Sequence, residues 1–273
     1  MLLFADYTAQ EYFEVNGATL FPAAEADITR ICLTYLSFNA FGENGCAHMK
    51  LFDDYDPYEY PLFNYAAVHW GHHARRNEES TSDIIQDFLS HKPNVVCATA
   101  VLLQHNNKGY YQPCRTDFGE IHLLSFFGLE KTISELLKSR HLADSRDSWG
   151  QTPLLHAAVQ GHVEIVRLLL ARDDVDMNSE DKDGRSPLWY GIDKGHLEVV
   201  RLFFAQGDVD VHSRDKDGRS LLSYAAESKN SNIVAQFLAQ GDIDVNSKDK
   251  DGRSPLSYAT QYWNSETVQL FLG

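Results

Sequence analysis

The sequence predicts an all-α chain, an N-terminal helical domain leading into a solenoid of helix pairs joined by β-turn fingers. Three observations carry that fold class. The octapeptide DKDGRSPL at Asp181 returns as DKDGRSLL at Asp215 and as DKDGRSPL at Asp249. Gly150, Gly184, Gly218 and Gly252 keep a spacing of 34 residues, a register that marks a stacked repeat. Upstream of residue 117, apolar residues recur at i, i+3 and i+4, the period of a helix.

Taken in order, an extended LLFA is followed by TAQEYFEV, where Thr8 and Glu11 have capping-box spacing for a short helix. Ile28, Ile31, Cys32, Tyr35 and Leu36 place one apolar stripe on a helix that begins after Pro22. Residues 38–57 read as an acidic loop. Pro61 opens a helix through PLFNYAAVHWGHHARR, with Leu62, Tyr65, Ala66, His69 and Trp70 on one face. Ser80 to Ser82 offer an N-cap for a helix carrying Ile84, Ile85, Phe88 and Leu89, which Pro93 ends. Val95, Val96, Thr99, Leu102 and Leu103 define another helix, and KGYYQPCR links it to the repeats. Five repeat steps follow: a degenerate one over Ile121 to Leu137, then four from Asp147, Asp181, Asp215 and Asp249.

In each of these four, the Asp-x-x-Gly turn projects as a finger whose glycine supplies a positive φ. Thr152, Ser186, Ser220 and Ser254 are placed to cap the first helix, with Pro153, Pro187 and Pro255 at its first position and Leu221 in the copy that starts at Asp215. Gly161 and Gly195 end the first helix, whereas Lys229 and Trp263 stand where the next two glycines would be. Each replacement is expected to cost on the order of 1 kcal/mol, so the last two repeats should fray first. The second helices contribute Val166, Leu169 and Leu170, with their counterparts up to Val268, Phe271 and Leu272, as the shared core. No polar capping unit follows Leu270, Phe271 and Leu272, which predicts a sticky end face. The pattern GxTPLxxAAxxGH, formed by Gly150, Thr152, Pro153, Leu154, Ala157, Ala158, Gly161 and His162, resembles the ankyrin repeat. That resemblance covers about residues 117 to 273 and implies non-catalytic protein binding.

It further implies that a partner meets the finger tips and the exposed face of the first helices. Mapped onto this chain, the candidates are Ser148, Trp149, Gln151, Val159 and Gln160 in one repeat, and Lys182, Asp183, Arg185, Asp193 and Lys194 in the next. Lys216, Asp217, Arg219, Glu227 and Ser228 follow, then Lys250, Asp251, Arg253, Gln261 and Tyr262. Three tips are identical and predict parallel rows of Lys, Asp and Arg, read either as a solvated charge ladder or as a polar track for an extended charged segment. Since those tips do not differ, discrimination falls to Trp149, Val159, Tyr262 and the helix positions, with Trp149 the expected hot spot.

A second resemblance spans residues 2 to 137. YTAQEYFE, ITRICLTYLSFNAF, YPLFNYAAVHWGHHAR and HLLSFFGLEKTISELL, in this order, are similar to the region between nucleotidase core and ankyrin array in filamentous-fungal NACHT-ankyrin proteins, relatives of NOD-like receptors. The likeness implies that residues 1–15 are the tail of a winged-helix domain, 16–116 a helical linker domain and 117–273 about five repeats, the first degenerate and the last truncated. It implies the sensor or ligand-recognition arm of a protein of self/non-self recognition or signalling. The phosphate-binding loop GxxxxGK[ST] of that family has no counterpart, because the sequence contains no Gly-Lys pair. ATPase activity is therefore not carried over, and the chain reads as a segment of a larger protein or a stand-alone arm. A free-standing adaptor that bridges two proteins is the alternative.

Composition narrows the partners. A net charge of -15 opposes nucleic acid and anionic membrane, whose phosphates attract clustered Lys and Arg. Cys32, Cys46, Cys97 and Cys114 form no CxxC pair and read as reduced thiols. MLLFADYTAQ has no basic n-region, and no apolar run approaches the ~18 residues of a membrane span. A cytoplasmic or nuclear location is expected.

Three motifs imitate catalytic or metal sites. Asp117, Phe118 and Gly119 spell a kinase tripeptide without its companion loops. Asp181, Asp183 and Gly184 imitate part of a calcium loop, but Tyr190 stands where the bidentate Glu belongs. His69, His72 and His73 share a helical face and lack an evident fourth ligand, so they are read as packing residues. No catalytic residue, cofactor, metal or small-molecule substrate is expected.

Overall fold

The computed structural model describes residues 23–41, 62–106, 118–139, 142–228 and 230–272. The expected helix over TAQEYFEV, the winged-helix tail, Pro61, KGYYQPCR, Asp117, Lys229, Cys46 and Cys114 lie outside them. The chain divides into two compact units, Met1–Arg115 and Thr116–Gly273. Among the described residues every regular element is helical, with one isolated β-bridge between Arg214 and Ser220.

The first unit contains α1 (Ala24–Leu36), a short 3₁₀ turn (Asn39–Phe41), α2 (Phe63–Arg76), α3 (Glu78–Ser90) and α4 (Lys92–Asn106). Helix α1 packs on both α2 and α3, and α2 on α4. Contact with two helices rotates the buried arc of α1 to Ala26, Thr29, Cys32, Leu33 and Leu36. Ile31, expected in the stripe, is 60% exposed. Thr29 is tolerated inside because its hydroxyl donates to the Glu25 carbonyl at 2.8 Å. On α2 the buried face is Phe63, Ala66, Ala67, Trp70, Gly71 and Ala74, so the expected positions Leu62 and Tyr65 are instead exposed. Helix α3 starts two residues before Ser80, because Asn77 breaks the backbone after α2 and its carbonyl accepts the buried Thr81 hydroxyl at 3.0 Å.

Polar side chains tie this unit together. The buried Asn94 of α4 donates to the carbonyls of Leu36 (2.7 Å) and Phe38 (3.1 Å), satisfying acceptors that the end of α1 leaves open. His73 is held between Glu25 (2.5 Å) and the Tyr65 hydroxyl (2.8 Å), and Arg76 also reaches Glu25. Hydrogen bonding to His73 and Arg76 outweighs burial and lowers the Glu25 carboxyl below its ordinary value. Cys32 and Cys97 are free, buried thiols, and burial pushes Cys32 up to about 11.

In the second unit five helix pairs stack: α5 (Glu120–Phe127) with α6 (Glu130–Ser139), α7 (Pro153–Gln160) with α8 (Val163–Leu170), α9 (Pro187–Asp193) with α10 (Leu197–Phe204), α11 (Leu221–Glu227) with α12 (Ser231–Leu238), and α13 (Pro255–Gln261) with α14 (Ser265–Leu272). First helices contact first helices of the neighbouring pairs, and second helices contact second helices. The first helices of the last four pairs start at a hydroxyl cap: Thr152, Ser186, Ser220 and Ser254 accept from the amides of Leu155, Trp189, Ser223 and Ser257 at 3.2–3.3 Å. Ser220 keeps this bond although Leu221 replaces the proline.

The stacking is secured at the turn between the two helices. His162 Nε2 bonds the Phe126 carbonyl and His196 Nε2 the Val159 carbonyl of the preceding repeat, each at 3.0 Å. Asn230 and Asn264 make the equivalent reach to Gly195 (3.2 Å) and Ser228 (2.8 Å). Gly161 therefore has two reasons to lack a side chain: its φ is 73°, and a Cβ would lie 2.7 Å from the His196 ring. Trp263 takes the glycine place with φ 57° and is 91% exposed. On the last pair Leu270 and Leu272 are exposed and Phe271 half-buried, and Ser257, Thr260 and Gln261 give α13 a polar exposed side.

Candidate functional site

The finger begins with one aspartate per repeat. Asp147, Asp181, Asp215 and Asp249 each use Oδ1 to accept the amides two and four residues on, at 2.8–3.0 Å. Their carbonyls accept the amide of the following finger glycine at 2.8–3.0 Å, which closes the turn. The second carboxylate oxygen is bound by a residue nine positions on. Tyr190 donates to Asp181 at 2.7 Å, Tyr224 to Asp215 and Tyr258 to Asp249 at 2.5 Å, and His156 stands 3.4 Å from Asp147. Burial and the partner carboxylate push Tyr224 and Tyr258 up to about 12, while the Tyr258 hydroxyl lowers Asp249 to about 2. This link from finger to helix went unread in the sequence, although Asp and Tyr nine apart recur in DKDGRSPLWY, DKDGRSLLSY and DKDGRSPLSY.

Successive fingers are also joined. The Lys182 amide donates to the Trp149 carbonyl at 2.9 Å and the Lys250 amide to the Asp217 carbonyl at 3.0 Å. Lys216 Nζ meets Asp183 at 3.1 Å, and Lys250 Nζ reaches the Lys216 carbonyl. Lysine and aspartate thus link one tip to the next. The arginines depart from the expected parallel row. Arg185 lies over the Trp189 ring with its guanidinium carbon 4.4 Å from the centroid. Arg219 is sandwiched between Tyr224 (3.7 Å) and Tyr258 (3.8 Å), pairs with Glu227, and leaves 13% of its side chain exposed. Arg253 binds Asp249 at 3.2 Å and Asp251 at 2.6 Å. Three matching finger positions thus hold three different arginines: Trp189 and Glu227 come from positions where the repeats differ, whereas Asp249, Asp251, Tyr224 and Tyr258 come from positions that the repeats share.

Of the other candidates, Lys182, Asp193, Lys194, Asp217 and Gln261 are exposed, and Asp193 is paired with Lys194 at 2.9 Å. Ser148, Trp149, Val159, Gln160 and Ser228 are half-buried. Gln151 donates across the repeat boundary to the Tyr190 hydroxyl at 3.4 Å. Tyr262 is 51% exposed, and a hydrogen bond with Glu227 raises its hydroxyl above the ordinary value. The face carries neutral and aromatic groups between charges of which several are paired with one another.

At the first finger the imidazoles are structural. His122 accepts the Gly119 amide on Nδ1 (3.2 Å), so Nε2 carries the proton and donates to the carbonyls of Ser145 (3.0 Å) and Gln151 (3.2 Å). Burial, then the neighbouring His156, lowers His122 to about 4. Phe118, the middle of the kinase-like tripeptide, packs against both rings. Among the described residues no three His, Cys, Asp or Glu side chains are placed to hold a metal ion.

Against known families, a model described as ankyrin repeats (3 copies) matches residues 121–213 and again 203–273. The chain belongs to the ankyrin-repeat family. Ankyrin repeats are interaction modules, generally non-catalytic, and this one is expected to bind protein. No curated protein matches the chain. Among the described residues of this ankyrin protein no helix is long and apolar enough to cross a membrane.

Proposed function

We propose that the chain recognises a protein partner through its finger-bearing concave face, without catalysis, as the sensor or ligand-recognition arm of a NACHT-ankyrin-type signalling protein in the cytoplasm. The observation that carries the binding reading is the row of linked fingers. Bonds from Asp to Tyr within repeats, and from Lys to the preceding tip between them, hold the fingers without a partner. Preorganised loops lose little freedom on binding, which favours affinity. The sensor role rests on the family likeness of residues 2 to 137. The separate first unit, with its own buried core, favours a second reading in which the protein is an adaptor holding one partner on each unit. Nucleic acid, membrane and small molecules are not proposed as ligands, in keeping with the net charge of -15.

The test is affinity capture from source-cell lysate with the intact chain and a Trp149→Ala, Val159→Ala, Tyr262→Ala variant of equal thermal stability. A protein held by the first and lost by the second supports concave-face recognition. Identical captures would move binding away from this face. Capture of two proteins, only one of them lost with the variant, favours the adaptor.

A further inference from the structure

We propose that Arg185 is the point at which this face takes a carboxylate, so that the partner presents an acidic segment to the third repeat. The inference rests on the concave-face reading above and narrows its partner.

The repeats supply their own comparison. Arg185, Arg219 and Arg253 occupy the same finger position in identical DKDGRS frames. Arg219 shows what this environment does with an acid: its guanidinium lies between Tyr224 and Tyr258, and Glu227, eight residues on, pairs with it. Arg253 takes two carboxylates, those of Asp249 and Asp251. Arg185 likewise lies over a ring, that of Trp189, and its Nε, like that of Arg219, is buried without a hydrogen-bond partner, yet no carboxylate among the described residues pairs with it.

The residue eight on from Arg185 is Asp193, shorter than Glu227, and it is engaged by Lys194 at 2.9 Å. The other acids nearby are also engaged. Asp183 is bound by Lys216, and Asp181 by two amides and Tyr190. The Tyr190 hydroxyl, which adjoins Arg185, is neutral and already gives its proton to Asp181. A stacked guanidinium is a preformed, planar fork that suits a carboxylate, and charge-assisted bonds of this kind are the strong ones. Desolvation of Arg185 by its surroundings is then offset by the incoming anion.

The probe is a displayed library of random dodecapeptides panned against the full chain. Enriched peptides are expected to share an Asp or Glu. Their affinity should fall about tenfold or more in Arg185→Gln, and by a similar factor when that acid is made an amide, with the two losses not additive. Asp193→Glu, which lengthens the side chain toward Arg185 as Glu227 reaches Arg219, should also weaken binding, and Arg253→Gln should not. Thermal unfolding of each variant verifies that the fold is kept. Enrichment of peptides without acids, or acidic peptides indifferent to Arg185→Gln, overturns the proposal. Peptides lost with Trp149→Ala and Tyr262→Ala but not with Arg185→Gln remove Arg185 and leave concave recognition standing. Peptides indifferent to all three substitutions, or no enrichment, count against both.

Discussion

Gly161→Ala and Gly195→Ala should differ although both glycines end a first helix in the left-handed region, with φ of 73° and 74°. An alanine there costs about 1–2 kcal/mol from backbone geometry alone. At Gly195 nothing lies within 4 Å of the added Cβ, so that is the whole cost. At Gly161 the Cβ would lie 2.7 Å from Cε1 and Nδ1 of His196, whose Nε2 bonds the Val159 carbonyl at 3.0 Å. The ring must move, and a part-buried hydrogen bond worth about 1 kcal/mol or more is lost. Gly161→Ala is therefore expected to destabilise by ~2–4 kcal/mol, against ~1–2 for Gly195→Ala. Urea unfolding of both variants, with amide exchange to localise the loss to α7 through α10, measures the difference. Adding His196→Ala should remove most of the excess at Gly161, as expected for contacting residues. Equal destabilisation by the two glycine variants, or an excess that persists without the imidazole, would refute the reasoning.

Tyr224→Phe should cost about 1–2 kcal/mol, because Asp215 keeps its two amides and loses the 2.5 Å hydroxyl, and thermal unfolding reads this directly. Lys216→Ala should change stability by less than about 0.5 kcal/mol, since its pair with Asp183 is exposed on both sides. Trp263→Gly should stabilise by about 1 kcal/mol by relieving the left-handed φ, and should raise amide protection in the last two repeats, which are expected to be the least protected. Acid should loosen the first finger before the others. His122 lies at about 4 when folded against an ordinary 6.5, so below about pH 6.5 the unfolded chain binds a proton the folded one does not. Its contribution is present above pH 6.5 and is lost as pH falls toward 4; stability followed from pH 7 to 4 should drop less in His122→Gln.

The repeat array was legible residue by residue. An interval of 34 residues, hydroxyl caps before proline and glycines at turn positions are local requirements of backbone geometry, so they are written locally in the chain. The first unit was legible only as helices. Which faces of α1 and α2 are buried depends on the helices they meet, and so Ile31, Leu62 and Tyr65 were misplaced inward while Thr29 and Asn94 were passed over as polar.

At the candidate site the sequence by itself determined that three fingers carry the same Lys, Asp and Arg, and that Asp recurs nine residues before Tyr. Tertiary structure decided what these residues do. Stacking brings Tyr258 over Arg219 from the next repeat, brings Lys216 to Asp183 of the preceding one, and leaves Arg185 over Trp189 without an acid. The contacts of Tyr258 with Arg219 and of Lys216 with Asp183 join residues 39 and 33 positions apart, so the same DKDGRS frame acquires different neighbours, and it is the neighbours that decide which charge is neutralised within the chain.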